Sequence, residues 1–211
     1  MFKLFGRKKT TKQQIDQKLE EFRDERQQII QQRFTDYIEN SKKLAHIYRA
    51  LVINRKAKWA CDQIDVKPHI LTHMANGNVK KHNIELDYNT IQNLASSSYT
   101  NEQRLVLLKQ ALKARKNIPV LHKQRITEFE DKVIKYMKQL NLEDLVVRDL
   151  LTKVFYTGRS HYVVYTLYTG RMNRTQIESW RKAEGIRRNI KQRETRRSRA
   201  KSSVVHQNTT T

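Results

Sequence analysis

Acidic residues are scarce in this chain relative to basic ones. Its 211 residues include 21 Asp and Glu against 43 Lys and Arg, which gives a formal net charge of +22 at pH 7. A compact domain with that imbalance repels itself unless a polyanion neutralises the charge. The shortage of carboxylates therefore predicts nucleic acid as the partner, with an anionic membrane surface as the less favoured alternative.

Cysteine and long apolar runs are also missing. The one cysteine, Cys61, cannot form a disulfide within the chain, and we expect it to be a small buried hydrophobic residue rather than a nucleophile. No apolar run approaches the roughly 18 residues of a membrane span, and no signal-peptide core follows the basic start. We therefore expect an intracellular protein, or a virion component if the source is a virus.

Catalytic and metal-binding motifs are not found. None of the five glycines belongs to a Walker loop, a GxGxxG fingerprint or a GxSxG elbow. His69 and His73 are four residues apart, with Cys61 before them and His82 after them, a set that could hold zinc. One thiolate and irregular spacing instead favour an exposed face of a short helix. We expect a non-enzymatic protein with no metal and no cofactor.

Helix-forming sequence is abundant. Residues 12–64 contain neither glycine nor proline, which predicts one long helix, or a helical hairpin with a joint near Asn40 and Ser41. Thr11 and Gln14 form a capping-box pattern at its start. A narrow apolar stripe indicates packing against another helix, often from a second copy of the chain. The stripe consists of Ile15, Leu19, Phe22, Ile30, Phe34, Tyr37, Ile38, Leu44, Ile47, Tyr48, Leu51, Val52 and Trp59.

Shorter helices are predicted in the middle of the chain. One begins at Pro68 and ends at Gly77. Thr100 and Gln103 form a second capping box before a helix over about 101–117, which Pro119 ends.

Two further helices are predicted over about 121–140 and 143–155. Asn141 is expected to cap the second of them. Because residues 143–155 are the most apolar of these segments, we expect that helix to lie at the centre of the core.

The sequence YTGR occurs twice, at residues 156–159 and 168–171. The segment between the two copies fits a strand, because aromatic and β-branched residues alternate there, or a helix with Ser160 as its N-cap. Since no other segment resembles a partner strand, we predict a helix over about 160–169. Gly158 and Gly170 would then each end one helix and open a tight turn, leaving the arginine that follows each glycine free to reach outward.

The last predicted helix is strongly basic. Thr175 and Glu178 give a third capping box, and Ile177 and Trp180 are expected to face inward. The predicted fold class is mostly α, with a long N-terminal helix or helical hairpin, a small helical bundle and a basic C-terminal helix. The predicted segments are a basic amphipathic tip (1–11), a long helical segment that is a candidate for oligomerisation (12–66), a helical core domain (67–170), the basic helix (171–201) and a disordered tail (202–211).

Basic residues are spread along the chain rather than gathered on one reading head. Such a spread suits contacts to many phosphates, which give affinity without sequence information. We therefore expect a multimeric coat, nucleoprotein or packaging protein of a virus or mobile element, which binds DNA or RNA through its backbone. The predicted contacts are Lys42, Lys43, Arg49, Arg55, Lys56, Lys58, Lys109, Lys113, Arg115, Lys116, Arg159, Arg171, Arg174, Arg181, Lys182, Arg187, Arg188, Lys191, Arg193, Arg196, Arg197 and Arg199.

Readout of a defined DNA site is an alternative. Residues 162–180 fit a short helix, a turn and a basic helix, and TQIESW at 175–180 resembles the start of a homeodomain recognition helix. The asparagine of that family three residues after the tryptophan is Ala183 here. The resemblance implies a helix-turn-helix regulator or a replication accessory protein.

The N-terminal segment supports a second alternative. Phe2, Leu4 and Phe5, followed by three cations, could insert into an anionic membrane surface. This tip resembles the start of ESCRT-III subunits, which continue into a long helical hairpin. ESCRT-III chains usually turn acidic toward the C-terminus, whereas this chain turns basic. The resemblance implies a membrane-remodelling protein.

Overall fold

The computed structural model describes residues 11–156 and 158–207, excluding the side chains of residues 193 and 196–207. Within those residues all regular structure is helical and no strand occurs, so the predicted mostly α class is confirmed. The helices are α1 (Lys12–Ile53), α2 (Ala57–Gln63), α3 (Pro68–Thr72), a π-helical turn (His73–Gly77), α4 (Asn78–Lys81), α5 (Tyr88–Ala95), α6 (Asn101–Leu140), α7 (Asp144–Phe155), α8 (Arg159–Tyr168) and α9 (Arg174–Gln207).

The chain divides into two compact units. The central unit is Glu20–Lys132, and the terminal unit combines Met1–Leu19 with Val133–Thr211. Residues 1–10 of the predicted membrane-inserting tip (1–11) lie outside the described residues.

Helix α1 begins at the predicted capping box and continues through the predicted joint. The Gln14 backbone N–H donates to Thr11 Oγ1 over 3.3 Å, and Gln14 Oε1 accepts from the Thr11 N–H. Asn40 and Ser41 do not break the helix, so the long helix is confirmed here and the alternative of a joint at these residues is wrong. Asn40 Nδ2 donates to the Ala111 carbonyl on α6, and the Ser41 hydroxyl donates to the Tyr37 carbonyl. These partners let both polar side chains lie buried within a continuous helix.

The break falls instead at residues 54–56. Arg55 has a positive φ of 56°, and the backbone N–H of Lys56 donates to the Leu51 carbonyl. Asn54 Nδ2 donates to the carbonyls of Ala50 and Ala95. These bonds satisfy carbonyls that the end of a helix would leave free.

Two predicted helix ends are wrong. Gly77 has the helical φ of −61°, and the π-helical turn continues directly into α4. Pro119 lies inside the 40-residue α6. A proline there removes one backbone hydrogen bond and costs about 3 kcal/mol. Because Ile118 and Phe129 are both buried against the rest of the central unit, packing on both sides of the proline outweighs that cost.

Much of the apolar stripe of α1 is buried by the chain itself, whereas Ile30, Phe34 and Val52 are exposed. In the central unit the Phe22 and Phe129 rings meet edge to face with centroids 6.1 Å apart. A buried cluster joins α1 and α6 through Leu44, Ile47, Leu51, Leu105 and Leu108. Packing within the chain therefore buries the Phe22 and Leu44–Leu51 parts of the stripe, and the predicted pairing with a second copy stays a prediction.

The terminal unit contains the predicted helix at residues 160–169, as α8. Gly158 (φ 117°) is its N-cap residue in place of the predicted Ser160, and Gly170 (φ 68°) follows its end. Both conformations favour glycine. Asn141, with φ 51°, ends α6, whereas the N-cap of α7 is Glu143 and not Asn141.

The capping box at the start of helix α9 lies two residues closer to the N-terminus than predicted. Asn173 and Gln176 exchange side-chain-to-backbone hydrogen bonds of 2.8 and 2.9 Å, so Thr175 and Glu178 are not the box. The helix extends to Gln207, past Ser202, where the disordered tail was predicted to begin. Residues 208–211 lie outside the described residues.

Candidate nucleic-acid interface

Antiparallel packing of α1 and α6 aligns two basic segments of the central unit. Phe22 packs on Phe129 and Asn40 bonds to Ala111, so residue numbers rise along one helix as they fall along the other. Beside the Asn40–Ala111 hydrogen bond lie Lys42, Lys43, Lys109 and Lys113. Each is within three residues of that bond, or about 5 Å along a helix axis. The folded chain thus places at one level of the helix pair lysines that are about 70 residues apart in sequence.

The aligned segments contain few carboxylates. No acidic residue occurs between Glu39 and Asp62 or between Glu102 and Glu128. Lys56 has an acidic neighbour in Glu102. Nine predicted contact residues are exposed here, and none forms an ion pair within the described part of the chain. They are Lys42, Lys43, Arg49, Arg55, Lys56, Lys58, Lys109, Lys113 and Lys116, which we call the basic surface.

Carboxylates of the central unit are paired farther along the same two helices. Lys132 Nζ lies 2.6 Å from Glu25 Oε2, and Arg125 Nη1 lies 3.3 Å from Asp36 Oδ2. Positive charge is therefore compensated toward one end of the helix pair and left uncompensated toward the other. Uncompensated cations attract phosphate groups, and their field is screened by salt.

Arg115 was also predicted to contact nucleic acid, and the structure shows it half-buried and bonded within the central unit. Its Nη1 donates to Ser41 Oγ over 3.1 Å, and its guanidinium carbon lies 5.5 Å from the centre of the Tyr37 ring. Asn78 Nδ2 also donates to Ser41 Oγ. This arginine ties α6 to α1 and is not part of the basic surface.

His46 lies beneath the basic surface as a neutral hydrogen-bond acceptor. Its Nε2 accepts a 3.0 Å bond from the Asp87 backbone N–H, so that nitrogen carries no proton. Burial is the main reason that the pKa of His46 lies below its ordinary value of 6.5, and the nearby Lys42 charge lowers it further, while Asp87 raises it.

This arrangement predicts a loss of stability in mild acid. Unfolded His46 takes up a proton near pH 6.5, and the folded state does so at lower pH. The stabilisation that neutral His46 contributes to the folded state is therefore fully present above about pH 6.5, and it is lost as the pH falls toward the folded-state pKa. Glutamine can accept the same bond without titrating, so His46→Gln should flatten the dependence of the unfolding free energy on pH between about 7 and 5. Urea unfolding across that range measures this, and equal slopes for the two proteins would contradict it.

In the terminal unit the two YTGR arginines take different positions. The Arg159 guanidinium carbon lies 5.0 Å from the centre of the Trp180 ring, and Arg159 Nε and Nη2 are shielded from solvent. The predicted outward reach of Arg159 is therefore not observed. Arg171 is exposed, with its guanidinium carbon 5.7 Å from the centre of the Tyr165 ring.

Helix α9 carries both paired and unpaired cations. Arg181 and Arg188 form ion pairs with Glu178 and Glu184 on the same helix. Arg174 also interacts with other groups of the protein, so it is not counted among the unpaired cations. In the described part of α9, three exposed cations form no ion pair: Lys182, Arg187 and Lys191. The predicted contacts Arg193, Arg196, Arg197 and Arg199 lie on α9, and their side chains are outside the described set.

Among the exposed cations of the terminal unit that sequence reasoning missed, Arg148 on α7 is notable for its position. It lies beside Arg171 in a cleft that α8 lines. In the sequence Arg148 stands between Val147 and Asp149, and Arg171 follows 23 residues later, so no local pattern marks the pair.

The cysteine and histidine candidates form no metal centre among the described residues, where no three His, Cys, Asp or Glu side chains converge. Cys61 is buried, and burial raises the pKa of its thiol. This agrees with the predicted role as a small hydrophobic residue. The His73 ring packs against Gly77, since its Nδ1 lies 3.1 Å from the position that a Cβ on residue 77 would occupy.

None of the described helices combines the length and apolar character needed to cross a membrane. Comparison with known proteins gives no relative: no family model, no curated protein and no solved structure matches this chain.

Proposed function

We propose that this protein binds DNA or RNA through the phosphate backbone with little sequence preference. The observation that carries the proposal is the basic surface of the central unit, where nine exposed cations from α1, α2, the turn between them and α6 form no ion pair among the described residues. Cations spread over several elements match phosphates spaced along a strand, and they read no base edges.

The charge distribution favours a coat, nucleoprotein or packaging role in a virus or mobile element. The terminal unit carries further exposed cations, Arg148, Arg171 and three of α9, which form no ion pair in the part of the chain that the structure describes. Coating a polyanion requires positive charge spread over much of the protein, and the net charge of +22 supplies it. Several copies of the protein bound along one strand would then neutralise the charge of that strand, so this role requires a multimer.

Helix-turn-helix readout is the second candidate, and one observation favours it. Helix α8 is followed after five residues by the basic α9, which is the order of a supporting helix and a recognition helix. This candidate predicts a preferred DNA sequence, whereas the first candidate predicts none.

Salt dependence and competition separate the two candidates. For the backbone-binding protein we expect the logarithm of the binding constant for random-sequence DNA and RNA to fall with the logarithm of salt concentration. A slope of about −5 or steeper is expected, because each phosphate contact contributes about −0.9. Fluorescence anisotropy between about 50 and 300 mM salt would measure it.

If the protein binds the backbone without sequence preference, unlabelled random competitor DNA should displace every bound sequence equally. Retention of one sequence by roughly a thousandfold would favour the helix-turn-helix candidate. A slope shallower than about −2 would contradict the backbone-binding proposal. Light scattering before and after nuclease treatment would show whether several copies assemble and whether nucleic acid holds them together.

A further inference from the structure

A cleft of about 440 Å³ lies in the terminal unit, between α7, α8 and the turn before α9. This volume is within the range of roughly 300–1,000 Å³ that small-molecule sites occupy. One face of α8 supplies four of its lining residues. The lining residues are Arg148, His161, Tyr162, Tyr165, Thr166, Arg171 and Met172.

Cations line this cleft without a carboxylate among them. Arg148 and Arg171 are exposed and form no ion pair in the described part of the chain. The Tyr165 ring lies 5.7 Å from the Arg171 guanidinium, and this cation–π contact orients the arginine. Two guanidinium groups with free donors provide the hydrogen-bond geometry that binds a phosphate group.

His161 fixes α8 against α7 at the same cleft. Its Nε2 lies 3.0 Å from the Arg148 carbonyl oxygen. Because a carbonyl only accepts hydrogen bonds, Nε2 carries the proton and Nδ1 is the remaining polar atom of the ring. The parallel His161 and Tyr165 rings, with centroids 6.3 Å apart, hold this side of the cleft in place.

Apolar and aromatic groups complete the lining. Tyr162 is 43% exposed, and its ring lies 5.4 Å from that of Trp180. Arg159 packs over the same tryptophan, so the Tyr162 ring is supported from behind while much of its surface remains open. Tyr162 and Met172 can thus offer an apolar contact to the face of a base.

We infer that this cleft binds one unpaired nucleotide, with the phosphate at Arg148 and Arg171 and the base against Tyr162 and Met172. The inference deepens the proposed function and rests on it for the biological ligand. In a duplex both faces of a base are covered by stacked neighbours, whereas in a single strand a base can turn into a protein pocket. The cleft therefore gives the terminal unit a preference for single strands that the basic surface lacks.

The test compares two double variants with the same loss of charge in the same unit. Arg148→Gln/Arg171→Gln removes both cations of the cleft, and the matched control Lys182→Gln/Arg187→Gln removes two exposed, unpaired cations of α9. Affinities are measured for a random single strand, as DNA and as RNA, and for the corresponding duplex. We expect the cleft variant to lose about tenfold more affinity for single strands than for duplex, and the control to lose both equally.

A second variant and a direct probe keep this test independent of folding and of the proposed function. Tyr162→Leu should lower single-strand affinity by about tenfold and leave duplex affinity nearly unchanged. In a Trp59→Phe background the remaining tryptophan, Trp180, touches Tyr162, so a nucleoside monophosphate that enters the cleft should change its fluorescence.

Each outcome supports or overturns the inference. Equal losses for single strand and duplex in the cleft variant, or no fluorescence response to adenosine and uridine monophosphates and their deoxy forms, would overturn it. A fluorescence response in a protein that binds neither strand nor duplex would refute the proposed function and leave the nucleotide site standing. Selective response to the ribose forms would assign the strand as RNA, and equal response would assign the site to either nucleic acid.

Discussion

Replacing Lys42, Lys109 and Lys113 together by glutamine is expected to lower the affinity for random duplex DNA by several hundredfold at about 0.1 M salt. These lysines lie close to the Asn40–Ala111 hydrogen bond that joins α1 to α6. Each phosphate contact changes the binding constant about eightfold for every tenfold change in salt. Three lost contacts should therefore make the salt slope shallower by about 2.7 and leave affinities near 1 M salt almost equal.

A second triple variant controls for the loss of net charge. Arg23→Gln/Arg125→Gln/Lys132→Gln removes the same three charges from the same unit, but these cations are paired with Glu20, Asp36 and Glu25. We expect it to change the slope by less than one contact, or about 0.9. Equal effects from the two variants would mean that net charge, and not the basic surface, determines binding.

The helix starts and turns that were predicted correctly depend on residues close together in sequence. The capping boxes at Thr11 and Thr100 are hydrogen bonds across three residues, and the positive φ of Gly170 follows from a single residue type. Such features are set before any tertiary contact forms. They can therefore be predicted from one sequence.

The errors occur where a local signal for a helix end meets tertiary packing. Ser41 remains in α1 because its hydroxyl accepts from Asn78 and Arg115, which lie 37 and 74 residues away. Pro119 remains in α6 between buried residues. In both cases a local preference, below about 1 kcal/mol at Ser41 and about 3 kcal/mol at Pro119, is outweighed by contacts that no short sequence window contains.

The candidate site was predicted in composition but not in arrangement. Long acid-free segments identified most cations of the basic surface, yet their alignment depends on the antiparallel packing of α1 and α6. Arg115 and Arg159 match their neighbours in sequence but pack on aromatic rings. Arginine has both roles, stacking on rings and binding phosphate, and only the fold decides between them.

One buried cation of the central unit stabilises the fold instead of binding a ligand. Arg104 is 3% exposed, and its guanidinium donates to the carbonyls of Leu94 and Ser96 over 2.6 Å each and to Asn101 Oδ1 over 2.9 Å. Both carbonyls belong to the C-terminal end of α5. The negative end of the helix dipole and free carbonyls there favour a cation.

Replacing Arg104 by methionine is therefore expected to lower the free energy of unfolding by about 3 kcal/mol. Methionine keeps much of the apolar volume but leaves the Leu94 and Ser96 carbonyls buried without their donor. Urea unfolding followed by circular dichroism measures the loss. Arg104→Lys keeps the charge but cannot reach all three acceptors, so its loss should be intermediate.

Lys109→Met is the matched control, because it places the same side chain at an exposed position of the same helix. Its expected effect is below about 0.5 kcal/mol. Similar losses for the Arg104→Met and Lys109→Met variants would contradict the role assigned to Arg104. If the assignment is correct, Arg104→Met should still bind nucleic acid with an unchanged salt slope at temperatures where it is folded, because a cation that bonds three internal oxygens contacts no phosphate. Loss of stability and loss of binding would then be separable within one unit, with Arg104 governing the first and the exposed lysines the second.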